Sequence, residues 1–98
     1  MKLVYSRRAL TDLNEIEAYY SASASPATAE SIGRRLESVV DRICRVPRAA
    51  PRVSQRSAVR VAAVVRYPFR IFYRVRGDTI DILHIRHTSR RPPATGIE

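Results

Sequence analysis

The run Arg66-Tyr67-Pro68-Phe69-Arg70-Ile71-Phe72-Tyr73-Arg74-Val75-Arg76 alternates arginine with aromatic and β-branched residues, the period-two pattern of a β-strand. Strand residues two apart point the same way, so Arg70, Phe72, Arg74 and Arg76 share one face and Phe69, Ile71, Tyr73 and Val75 the other. The second set reads as core. The first is either a solvated face, the usual fate of charge in a sheet, or a site for phosphate or carboxylate, which planar guanidinium forks match bidentately.

The period of two continues on both sides. Val59 to Val65 precedes the run, joined to it around Arg66-Tyr67-Pro68, and Thr79 to Arg86 follows it through Gly77-Asp78, a two-residue hairpin signal. Three such runs predict an antiparallel meander. In the third, Ile80, Ile82 and His84 alternate with Leu83 and Ile85, which makes both faces partly apolar. Either that strand is central and flanked on both faces, or the face away from the helices is covered by something outside the chain.

Upstream the period becomes helical. Ala9, Leu13, Ile16 and Tyr20 form one apolar stripe of a helix from about Arg7 to Ala22, capped by Ser6, with Arg8, Asp12 and Glu15 outside the stripe. Ser21 to Ser25 breaks the pattern. Pro26 suits the first position of a second helix capped by Ser25, whose stripe runs Ala29, Ile32, Leu36, Val39, Val40, Ile43 and Val46 until Pro47 stops it. Residues 47 to 57 hold two prolines and little periodicity and read as an exposed basic loop. Residues 2 to 5 form an N-terminal strand. The expected class is α+β, with a helical hairpin on one face of the sheet, a single domain over residues 1–92 and a flexible tail over 93–98.

Ninety-eight residues suffice for one core. A formal charge of +9, with arginine at seventeen positions and Lys2 as the sole lysine, favours polyanions, an acidic protein partner or anionic lipid. No stretch reaches the roughly 18 apolar residues of a membrane span, and no leader pattern follows Met1, so the chain reads as cytoplasmic. Cys44 sits on the apolar stripe of the second helix, as a structural thiol does. His84 and His87 lie three apart with no acidic cluster nearby, so no metal and no cofactor are expected.

Several strings, taken in order, resemble the RelE/ParE toxin superfamily of bacterial type II toxin–antitoxin systems over about residues 2 to 92. They are Tyr5 to Ile16, Pro26-Ala27-Thr28-Ala29 opening the second helix, Arg45-Val46-Pro47 closing it, Tyr67 to Val75, and Ile82 to Pro92. The long hairpin with proline at the head of its second helix looks more like ParE than RelE. The resemblance implies a toxin neutralised by a cognate antitoxin, whose acidic C-terminal segment would fold over the sheet with Arg60, Arg70, Phe72, Arg74 and Arg86 as contacts. A ParE-like toxin would inhibit DNA gyrase without being an enzyme, meeting its target through the helical hairpin or Arg90 and Arg91. A RelE-like toxin would instead cleave messenger RNA on the ribosome, with Arg70, Arg86 and His87 as the candidate catalytic set. RelE-like lysines are missing from the preceding strand, where Val61, Ala62 and Ala63 stand, and no tyrosine follows Tyr73. A third reading is a basic nucleic-acid-binding or regulatory module without toxicity, marked by steep salt dependence of DNA binding.

Overall fold

The computed structural model describes residues 2–54 and 56–88. Its elements are β1 (Lys2–Tyr5), α1 (Arg7–Ser23), α2 (Pro26–Arg45), β2 (Arg52–Val53), β3 (Arg56–Val64), β4 (Phe69–Arg76) and β5 (Thr79–His87). They form a five-stranded sheet in the order β1-β5-β4-β3-β2, antiparallel except where β1 pairs parallel with β5. The α+β architecture is as expected. The expected tail, 93–98, lies outside the described residues.

Both helix starts follow the chemistry read from sequence. The Ser6 hydroxyl accepts from the Ala9 N–H at 2.9 Å and the Ser25 hydroxyl from the Thr28 N–H at 3.0 Å, each satisfying a donor that the first helical turn leaves orphaned. Pro26 stands in the first turn of α2, where its missing N–H removes nothing. At the other end Arg42 and Arg45 complement the negative end of the helix dipole. Ile32, Leu36, Val40 and Ile43 of α2 and Ala9 of α1 close over Phe69, Ile71, Tyr73, Ile80, Ile82 and Ile85 of the sheet, and together they are the core. Cys44 is half-buried against it.

Two expectations are corrected. The segment read as an exposed loop, 47 to 57, contains β2 and the start of β3. Arg52 and Val53 are too few to show a period, and they acquire strand geometry only by pairing with Arg60 and Arg56. The second correction concerns the apparently two-faced third run. Phe72 pairs with His84 while its neighbour Tyr73 pairs with Ile82, so Leu83 is the extra residue of a β-bulge. The bulge reverses the parity of β5, so Ile80, Ile82 and Ile85 all enter the core although their spacing is not a multiple of two. β5 is an inner strand, and its far face is polar.

The Gly77-Asp78 connection forms as expected. Gly77 takes φ +61° and is the first central residue of a two-residue turn, the place where a type II′ hairpin requires positive φ. Arg66, in the β3–β4 turn, also has positive φ, at 83°, without glycine's freedom.

Candidate functional site

The face of the sheet away from the helices is built by β4 and β5. Register places Arg70 opposite Arg86, Phe72 opposite His84, and Arg74 opposite Asp81. Residues directly opposite in an antiparallel ladder share a face, so these six side chains form a three-by-two block, with Arg76 beside it.

The block divides into a self-satisfied half and an unsatisfied half. In the first, Asp81 is buried and accepts from two guanidinium groups. Arg76 donates from Nε at 3.0 Å and from Nη2 at 3.2 Å, and Arg74 from Nη2 at 3.0 Å and Nε at 3.3 Å. The Arg76 hydrogen bond, joined by that of Arg74, holds the Asp81 carboxyl below the usual carboxylate range despite its burial. In the second half, Arg70 and Arg86 are exposed, and neither side chain makes an ion pair or hydrogen bond among the described residues. Two cations held opposite each other repel unless an anion lies between them.

Phe72 and His84 floor the space between these halves. Their rings stack at 5.8 Å with planes 20° apart. His84 is held from the side by α1. Its Nδ1 lies 2.7 Å from Asp12 Oδ2, and the same oxygen accepts the Ile85 N–H at 2.9 Å. A carboxylate only accepts, so Nδ1 carries the proton and donates. This contact follows from topology. β1 accompanies β5 only as far as Ile82, after which the chain leaves through Ser6, whose hydroxyl donates to the Leu83 carbonyl at 2.8 Å. Asp12, nearly two helical turns further, reaches the uncovered edge of β5. Its position outside the apolar stripe of α1 was legible in sequence, but not its meeting with a histidine 72 residues away.

The structure separates two of the residues singled out in sequence from this block. Arg60 pairs with Tyr73 and so lies on the helix side, where its Nη1 donates to the Ala50 carbonyl at 2.7 Å and the Arg48 carbonyl at 3.1 Å. His87 pairs with Phe69 and packs edge-on against it at 5.3 Å, also on the helix side, apart from Arg70 and Arg86. Val61 and Ala63 of β3 flank Phe72 and Arg70, so the strand beside the arginines contributes no charge to the face. Arg90 and Arg91 lie outside the described residues. Among the described residues no group of three histidine, cysteine or acidic side chains could hold a metal ion.

The sequence matches the family described as ParE toxin of type II toxin–antitoxin system, parDE, over residues 3–92. The chain belongs to the ParE toxin family. Among solved structures it resembles the chromosomal ParDE toxin–antitoxin system of P. aeruginosa, with 28% identity over 91% of this chain and 97% of that one and a TM-score of 0.74. The fold is shared with the intact E. coli RelBE toxin–antitoxin complex, at 14% identity, 92% and 98% coverage and TM-score 0.60. It is also shared with the isolated E. coli RelE toxin, at 13% identity, 96% and 89% coverage and TM-score 0.59. No curated protein sequence matches. For a ParE-family chain the arginine block on β4 and β5 is a surface able to hold phosphate or carboxylate oxygens, with Arg70 and Arg86 supplying free forks and Phe72 an aromatic face.

Proposed function

We propose that this toxin inhibits DNA gyrase in the cytoplasm and is silenced by a cognate antitoxin, whose acidic C-terminal segment covers the Arg70–Arg86 face. The observation that carries the gyrase reading over RNA cleavage is the make-up of that face. Cleavage by 2′-OH attack needs a group at the hydroxyl, cations at the crowded phosphate and an acid at the leaving oxygen. Arg70 and Arg86 meet the second need. Val61 and Ala63 occupy the neighbouring strand, Lys2 is the chain's sole lysine, and His87 faces the other way. The arginines then act as binding groups, and Arg90 and Arg91, outside the described residues, are further candidate contacts to the target. Purified gyrase supercoiling assayed with this protein tests the reading, with trapped double-strand breaks scored together.

One observation favours the second reading, a ribosome-dependent messenger RNA endoribonuclease. His84 shares the face with both free arginines and is oriented by Asp12, the arrangement by which a carboxylate fixes an imidazole tautomer. In that reading Arg70 and Arg86 hold the phosphate and His84 replaces His87 as the proton-transfer group. Cleavage on translating ribosomes, lost in His84→Ala and kept in His87→Ala, would support it.

A further inference from the structure

Among the described residues Arg66 alone takes a positive φ without being glycine, at 83°. Its surroundings impose that conformation. Val64 is already paired with Phe69, so residues 65 to 68 must close the β3–β4 hairpin. Tyr67 packs against the core, its carbonyl accepts the Phe69 N–H at 2.8 Å, and the Pro68 carbonyl accepts the Thr88 N–H at 2.7 Å. With those two residues anchored, the left-handed position falls on Arg66. Glycine adopts this region freely, whereas a residue with a Cβ does so against a steric penalty. Strain of this kind persists where the surrounding structure over-determines it, and it gathers at sites where the strained residue is used.

The side chain held there is an exposed guanidinium that makes no ion pair or hydrogen bond among the described residues. Between Asp41 and Asp78 the chain holds ten arginines and no acid. Of these, Arg74 and Arg76 meet a carboxylate, that of Asp81, toward the Gly77–Asp78 end of the sheet. Arg66, Arg70 and Arg86 gather at the other end. Arg70 and Arg86 face each other one pair in from Phe69 and His87, and the Thr88–Pro68 hydrogen bond ties the Arg66 turn to the end of β5. Phe72 and His84, the next pair inward on that face, are half-buried and stacked on each other, so arginine is the outermost chemistry of this end.

We propose that Arg66, with Arg70 and Arg86, grips the phosphate backbone of duplex DNA, so that the toxin meets the DNA gyrase holds as well as gyrase itself. The inference rests on the gyrase reading and adds a nucleic-acid contact to it. Charge selects the occupant. A second copy, itself carrying +9, is repelled from this end. Duplex DNA presents one negative charge per roughly 1.7 Å of helix axis, so three cations on a hairpin end find phosphates without a fixed register. Phosphate oxygens accept guanidinium forks bidentately, and such contacts position a protein on DNA without reading its sequence.

The test is binding of the full chain to a labelled duplex oligonucleotide across a salt series, with gyrase supercoiling assayed on the same proteins. Arg66→Gly removes the charge and suits the backbone, so the variant should unfold at the same or higher urea concentration than wild type. Arg66→Asn, another residue that tolerates the left-handed region, repeats the test should glycine loosen the turn. Arg34→Ala, on exposed α2, loses the same net charge elsewhere and is the control. The expected result is duplex binding weakened at least threefold by both Arg66 variants and less than twofold by Arg34→Ala. The slope of log K against log salt should fall by about 0.9 for the lost phosphate contact, and gyrase inhibition should weaken in parallel. Full duplex affinity in the Arg66 variants, or an equal loss in Arg34→Ala, overturns the inference. Gyrase inhibition by a wild-type chain that does not bind duplex also overturns it and leaves the gyrase reading standing. Arg66-dependent duplex binding without gyrase inhibition bears out the DNA contact and overturns the gyrase reading. Tighter binding to the single-stranded form of the same oligonucleotide overturns the duplex assignment.

Discussion

Arg70 and Arg86 stand directly opposite each other on β4 and β5, and neither guanidinium has an acidic partner among the described residues, while further along the same strands, beyond the Phe72–His84 pair, Arg74 and Arg76 share the single carboxylate of Asp81. A sheet built for stability alone would pair its charges across the ladder. Here one half of a continuous arginine face is neutralised internally and the other is left to attract an anion from outside.

Like charges directly opposite cost a strand pair roughly 0.2–1 kcal/mol, and an opposite-charge pair contributes a similar amount. Arg86→Glu converts one into the other. We expect its stability to urea to rise by about 0.5–1 kcal/mol while inhibition of gyrase falls at least tenfold. Raised stability with unchanged inhibition would make the pair a solvated face only.

Asp81 gives the fold an acid-sensitive contact. Its folded-state pKa is lowered by Arg76 and Arg74, so its contribution is fully present above the unfolded carboxyl pKa of about 3.9 and is lost as pH falls through the lower folded value. Asp81→Asn should cost about 1 kcal/mol at pH 7, a figure kept small because both arginines are partly in water. Equilibrium denaturation of variant and wild type should show the gap narrowing below about pH 4 and vanishing once Asp81 is protonated in the native state.

Arg60 differs in kind from the arginines of the far face. Arg60→Ala removes two donors from loop carbonyls, and Tyr73→Phe removes the donor to Pro47. Each should destabilise by about 1–2 kcal/mol in chemical denaturation. Arg70→Ala should cost nothing. Burial raises the Tyr73 pKa, so its contribution is intact below the phenol's ordinary value near 10 and declines as pH rises through the folded value.

How much of this was legible is decided residue by residue. Ser6, Ser25, Pro26 and Pro47 fixed the helices because capping and proline chemistry act within one turn, and the Phe69–Arg76 alternation gave both faces of β4 correctly. β5 was misread because Ile82, Leu83 and Ile85 around the bulge are all apolar, so one extra residue leaves no clear trace in a hydrophobic pattern. Arg60 could not be placed because its face depends on the β3–β4 register, and the pairing of Asp12 with His84 depends on where β1 ends. Of the candidate site, Arg70, Phe72, Arg74 and Arg86 share one face, whereas the Asp12–His84 contact had no local signal at all.

That contact is open to its own test. Asp12→Ala removes acceptors for the Ile85 N–H and for His84 Nδ1 together. It should destabilise by about 1–3 kcal/mol, since a buried donor loses its partner. His84→Ala, which leaves Asp12 bonded to Ile85, should cost less. Thermal melts of both variants and their double mutant would give the coupling directly.

The central claim is that the free arginines bind a target and do not cut RNA. The most direct measurement is gyrase supercoiling in the presence of the purified, antitoxin-free chain and its Arg70→Ala variant, with double-strand breaks trapped in the same reaction and messenger RNA scored on translating ribosomes alongside. The account predicts inhibition with accumulated cleaved DNA, weakened by Arg70→Ala, and intact messenger RNA. Undisturbed supercoiling together with cleaved messenger RNA would contradict it.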